Sequence, residues 1–287
     1  MLRATSTALA LIAAYLFAAA TAGSVLAWLL HDVLDYEYIK ILSRAILLAA
    51  ALGLIPLWRI AGLTAADLQL RPIDFSAVLQ SYPLGLLIVA PLILFFLVSG
   101  FRVPDDRIDF ADADIWQFVL IALLSGLLVG IFEETLFRGV LFTVLRRSVG
   151  FVLSAGVVGV LYSGVHFLDA QAIEGIQVHW YSGYIHVWTA FSGLASPAGY
   201  WDAFVALFLL GVLFCWIREH VGLWWCIGLH AAWVFAIRMF KEVTVRDIYN
   251  PFEVMVSSYD NFVGMLVSFW LLFIFVVLWL ARRVSTA

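Results

Sequence analysis

The sequence predicts an all-α polytopic membrane protein, a single-domain transmembrane bundle of about eight helices. Three observations carry this reading. Of the 287 residues, 64% are hydrophobic and only 13% charged, against roughly 45–50% and about 25% in soluble domains. Eight apolar stretches come near or exceed the roughly 20 residues that cross a hydrocarbon layer about 30 Å thick. Those stretches are continuous rather than alternating, which excludes barrel strands. The formal net charge of -4 provides no basic face for phosphate backbones, so membrane lipids are expected as surroundings and nucleic acid is not a partner. Cys215 and Cys226 sit inside apolar runs and read as small buried hydrophobes rather than a disulfide.

The elements follow in order. The first stretch, 8–30, comes after Arg3 and holds the small residues Ala18-Ala19-Ala20-Thr21-Ala22-Gly23. That is signal-peptide chemistry, but the run continues to Leu30, which favours an uncleaved anchor. Stretches 41–58 and 79–99 complete an N-terminal unit over 1–114. Stretches 116–142, 149–168, 202–217 and 222–240 fill a central unit over 115–240, the last two forming a hairpin about an Arg218-Glu219-His220 turn. Stretch 262–281 closes a final unit, 241–287, after an outer loop. The acidic loop 100–115 reads as a solvated connector. The aromatic loop 169–201 suits the membrane–water interface, as a surface-lying or re-entrant segment or as a lid.

Orientation follows Lys and Arg in the loops. With the N-terminus inside, eight fall inside (Arg3, Arg59, Arg71, Arg146, Arg147, Arg218, Arg282, Arg283) and five outside (Lys40, Arg102, Arg107, Lys241, Arg246), six if Arg238 is counted. Both termini are therefore expected in the cytoplasm, with the chain in the cell membrane if the source is bacterial. Arg44 and Arg238, near span ends, are expected to snorkel.

Polar groups inside spans carry the functional signal, because a charge at bilayer depth is costly and marks a site. The fourth span contains Glu133, Glu134 and Arg138 within six residues of apolar sequence. Glu134 and Arg138 are i, i+4 and can pair. Glu133 is turned about 100° away, with Gly130, Val129, Leu136 and Phe137 at its helical neighbour positions. A carboxylate so placed must find water or another span, and suits general acid–base chemistry. His166 on the fifth span and His230 on the seventh are the candidate partners, although a common depth for them requires helix tilt or a later entry of the fifth span.

This pattern resembles a known family. Glu133-Glu134-x-x-x-Arg138, then Tyr162-x-x-x-His166, then His230, in that order on three spans, are similar to the motifs of the CPBP family. These are intramembrane glutamic proteases that include CAAX prenyl endopeptidases and bacteriocin-processing proteins, also called the Abi family. Leu68-Gln69-Leu70-Arg71-Pro72 is similar to a short stretch common there. The resemblance covers roughly 115–240 and implies a membrane-embedded, glutamate-dependent peptidase without a cofactor. It implies that Glu133 is the general base for water and that His166 holds that water. It implies that Glu134 with Arg138 orients the first glutamate and that His230 donates to the oxyanion. The implied substrate is a protein or peptide, lipid-modified in the CAAX case. The family commonly has Asn four positions after the last histidine, where this sequence has Val234; Trp233 beside it carries an indole N–H, and Tyr162 stands where Phe is usual.

Two alternatives stay open. Glu133, His166 and His230 could ligate zinc with a water in the fourth position, although no His-Glu-x-x-His pairing is present. A non-enzymatic transporter or interaction scaffold could retain the same bundle.

Overall fold

A computed structural model describes residues 2–167, 178–193 and 200–285. The helices are α1 (Leu2–Leu30), α2 (Tyr38–Ile60), α3 (Phe75–Val98), α4 (Ala113–Glu134), α5 (Phe142–Val149), α6 (Phe151–His166), α7 (Ser182–Gly193), α8 (Trp201–His220), α9 (Leu223–Glu242) and α10 (Met265–Ser285). Strands β1 (Arg102–Pro104) and β2 (Thr244–Arg246) form an antiparallel ribbon with Arg102 opposite Arg246. The protein is an all-α membrane bundle. Among the described residues, six helical segments are long and apolar enough to cross a membrane, and α6 and the apolar part of α10 are shorter.

Each of the eight apolar stretches is helical over most of its described residues, but three boundaries differ from the sequence reading. The fourth span does not stop at Phe142. A π-helical segment, Thr135–Leu141, continues α4 directly into α5. Arg146 and Arg147 therefore lie on the last helical turn and not in a loop. Arg218-Glu219-His220 is the last turn of α8 rather than a connector. The break comes at Gly222, whose φ of 136 suits glycine. The fifth span enters later than 149, because Gly150 at φ 80 separates α5 from α6.

Small residues let the helices meet backbone to backbone, as helix packing in lipid favours. A Cβ on Gly211 of α8 would stand 2.8 Å from Gly159 Cα of α6, and one on Gly85 of α3 would stand 2.8 Å from Ala232 Cβ of α9. The β ribbon ties the segment after α3 to the one after α9, so both leave the bundle at one end. Arg102 Nε donates to Thr244 Oγ1 at 2.7 Å and seals that end. The acidic connector is thus stranded at its start, then irregular.

Helix α7 shows how the described part of the aromatic loop is used. Ser24 Oγ of α1 donates to Trp180 O at 2.6 Å and accepts from Gly183 N–H at 3.0 Å. This segment is anchored on α1. The rest of the loop, 168–177 and 194–199, lies outside the described residues, and the lid reading of it falls outside them too.

The two arginines expected to snorkel find side-chain partners. Arg44 sits over the Tyr36 ring at 5.4 Å, and Arg238 Nη1 donates to Ser125 Oγ at 2.6 Å.

Candidate active site

Glycines again set the geometry. A Cβ on Gly126 would stand 2.8 Å from Ala231 O, and one on Gly130 would stand 3.0 Å from Ile227 O. Helix α4 therefore lies directly on the backbone of α9. Glu134, one turn beyond Gly130 on the same face, comes opposite His230. The wide π turn starts immediately after, at Thr135, and all seven of its residues are buried. Such segments recur at functional sites.

The polar cluster is compact. Arg138 Nη1 donates to Glu134 Oε1 at 2.8 Å, with both side chains 0% exposed. His230 Nδ1 meets the same Glu134 oxygen at 2.6 Å. An ionised carboxylate only accepts, so Nδ1 carries the hydrogen. The other ring nitrogen, Nε2, lies 3.7 Å from Glu133 Oε2, and Glu133 is 23% exposed. One glutamate thus clamps Arg138 and His230, while the other faces the remaining nitrogen of the histidine.

Aromatic rings hold the arginine. The Arg138 guanidinium carbon lies 4.3 Å from the Tyr162 ring centroid, 5.1 Å from Phe214 and 5.9 Å from Phe137. Desolvated contacts of this kind contribute up to about 2 kcal/mol. Tyr162 is 1% exposed and also packs edge-on against His166, 4.6 Å between centroids. Sequence reasoning misses Phe214, whose ring lies 5.8 Å from both His230 and Trp233. An apolar residue in an apolar span gives no signal of such a role.

His166 is oriented by its own helix. Its Nδ1 is 2.8 Å from Tyr162 O. A carbonyl only accepts, so Nδ1 is the protonated nitrogen and Nε2 keeps a lone pair when the ring is neutral. Trp233 has its indole nitrogen buried without a hydrogen-bond partner among the described residues. It lines an apolar cleft with Leu92, Leu207, Leu210, Ile237 and Trp270. Glu133 Oε2, Glu134 Oε2, and Arg138 Nε and Nη2 are likewise buried and unpartnered among the described residues. An unpaired buried polar atom costs about 1–3 kcal/mol. Of these three side chains only Glu133 has exposed surface, so it is the one that water or a substrate can reach.

Among the described residues, no group of three or more His, Cys, Asp or Glu side chains is placed to hold a metal ion. Glu133 and His230 approach each other, but His166 turns to its own helix.

Comparison with known proteins agrees with the motifs. No curated protein and no solved structure gives a significant match. Residues 115–236, which contain Glu133, Glu134, Arg138, Tyr162, His166, Trp233 and His230, match the model of a family described as type II CAAX prenyl endopeptidase Rce1-like. That segment is similar to this membrane protease family, consistent with the CPBP resemblance of its motifs.

Proposed function

We propose that the protein is an intramembrane endopeptidase that hydrolyses a peptide bond with water activated by Glu133. The observation that carries this reading is the double clamp by Glu134 on Arg138 and His230, which aims His230 Nε2 toward Glu133. With His230 doubly protonated, Glu133, Glu134, Arg138 and His230 sum to zero charge, the balance that a low-dielectric site favours. In that state Glu133 is a free base and His230 Nε2–H is a donor.

The reaction follows from these positions. Glu133 takes a proton from water, held from the other side by the His166 Nε2 lone pair, and the hydroxide oxygen bonds to the scissile carbonyl carbon. The oxyanion that forms is met by His230 Nε2–H, a preorganised donor of the kind worth about 2.7–4 kcal/mol. Collapse breaks the C–N bond, and the proton on Glu133 passes to the leaving amine. Glu134 and Arg138 do not touch the substrate; they hold His230. Val234 supplies no second donor, so the buried, unpartnered Trp233 indole N–H is the candidate for one among the described residues.

The apolar cleft beside Trp233 favours a substrate with an apolar or lipid-modified segment, in CAAX-type or in bacteriocin and peptide processing. The expected orientation puts both termini in the cytoplasm. Purified protein in lipid vesicles tests the reading with two peptides, one prenylated at its C-terminal Cys and one not. Cleavage of either peptide that stops in Glu133→Ala supports an endopeptidase. Equal cleavage by the variant refutes it. A folded wild type that cleaves no peptide and releases no fragment from native membranes favours the scaffold reading.

A further inference from the structure

The Leu68-Gln69-Leu70-Arg71-Pro72 stretch lies far in sequence from the polar cluster, and the reaction above makes no use of it. Its structure gives it a task. Helix α9 starts at Leu223 after Gly222, a residue with no side chain to cap the helix. The first N–H groups of a helix have no partner within it. Here the partner comes from 154 residues earlier: Gln69 Oε1 accepts from Leu223 N–H at 3.1 Å. Leu223 is 0% exposed, while Gln69 is exposed and reaches it from the surface. A Cβ on Gly222 would stand 3.4 Å from Gln69 Oε1.

The backbone of Gln69 is bent to reach this point. Its φ is 56, in the left-handed region that costs a residue other than glycine roughly 1–2 kcal/mol. Strain of this kind persists only where the surroundings enforce it. Three further contacts do so. Asp67 pairs with Arg147 at the end of α5, and Asp67 O accepts from Arg218 Nη2 at the end of α8 at 3.0 Å. Thr64 N–H donates to Asp67 Oδ2 at 2.8 Å and closes the turn. One loop therefore holds the ends of α5, α8 and α9. Those helices carry, respectively, the continuation of the Arg138 segment, Phe214 and His230.

We infer that Gln69 is a positioning residue of the active site: it caps α9 from outside and fixes the axial position of His230 against Glu134. His230 lies seven residues beyond Leu223, about 10 Å along a rigid helix at 1.5 Å per residue. A shift of the uncapped end is carried to the 2.6 Å bond between His230 Nδ1 and Glu134. This inference rests on the proposed hydrolysis, because its readout is the reaction.

The test compares wild type, Gln69→Ala, Gln69→Glu and Glu133→Ala in vesicles, on a peptide that the wild type cleaves. Glu keeps an acceptor at a helix N-terminus, where negative charge is favoured. Misplacement of a catalytic group by about 1 Å costs up to about 100-fold. We expect kcat to fall about tenfold in Gln69→Ala with KM unchanged, and the pH profile of kcat to move along the pH axis. Both effects return to wild type in Gln69→Glu. Loss of folded protein alone lowers the amplitude without moving the profile, and that result overturns the inference. So does a wild-type kcat in Gln69→Ala while Glu133→Ala is inactive. Cleavage surviving in Glu133→Ala instead overturns the reaction itself, whatever Gln69 does.

Discussion

Substituting Arg138 separates what holds the bundle together from what aligns the catalytic groups. Arg138 and Glu134 are both fully buried and paired at 2.8 Å. Arg138→Met keeps the length and apolar stem of the side chain but leaves Glu134 as a buried carboxylate with His230 alone. Removing one partner of a buried pair costs about 3–5 kcal/mol. The lost contacts with Tyr162 and Phe214 fall within that range. Glu134→Gln combined with Arg138→Met removes both charges, and such replacements are often near neutral in stability. Unfolding of the purified protein by titration with a denaturing detergent should show a large loss in Arg138→Met and a return of most of it in the double variant. Activity should not return, because a neutral amide in place of the carboxylate cannot balance a protonated His230. A double variant that regains both stability and cleavage refutes the claim that the Glu134 charge orients and balances His230. A loss below about 1 kcal/mol in Arg138→Met, the range of an exposed ion pair, refutes the claim that the pair is sealed from water.

Three other outcomes follow. Gly126→Val puts carbon where Ala231 O is 2.8 Å away, so α4 must leave α9; we expect cleavage to fall by at least about 100-fold, while Gly156→Ala, with nothing within 4 Å, leaves it unchanged. His166→Ala should lower kcat by about 10²–10⁴-fold, the usual range for a positioned acid–base group, while detergent-unfolding curves stay at wild type because, among the described residues, its ring nitrogen bonds within its own helix. Hydrogen bonds from the Thr64 backbone and hydroxyl, and the nearby Arg147, hold Asp67 below its ordinary value of 3.8. A depressed carboxylate stabilises fully above its unfolded value and loses that contribution as pH falls through the folded one. Amide exchange in residues 63–69 should therefore stay slow from neutral pH down to about pH 4 and speed up in stronger acid, a change that Asp67→Asn removes.

The legible and illegible parts of this protein divide along physical lines. The eight helices are legible because crossing a bilayer demands long apolar runs, and the Glu134–Arg138 contact because i, i+4 spacing on a helix is local geometry. The π segment is not legible: Thr135–Leu141 has no composition that separates it from α-helix, and its wide turn is set by packing. Nor is the bond from Glu134 to His230, which joins residues 96 positions apart and depends on the close approach at Gly126 and Gly130. Those glycines read as packing residues, which they are, but their consequence for the site requires the partner helix. For His166 the motif spacing is legible, but the bond of its Nδ1 to Tyr162 O, which fixes the ring from the carbonyl one turn earlier, is not. Arg218 reads as a loop cation in the sequence. It is buried because the chain turns at Gly222 and not before.

The central claim is that Glu133 activates the water that breaks the bond. The most direct measurement is single-turnover cleavage by Glu133→Gln in vesicles, with its fold checked by the same detergent-unfolding curve as wild type. Gln is isosteric but cannot take the proton. We expect a folded variant in which cleavage is slower by about 10²–10⁴-fold with substrate binding retained. A folded Glu133→Gln protein that cleaves at the wild-type rate contradicts it.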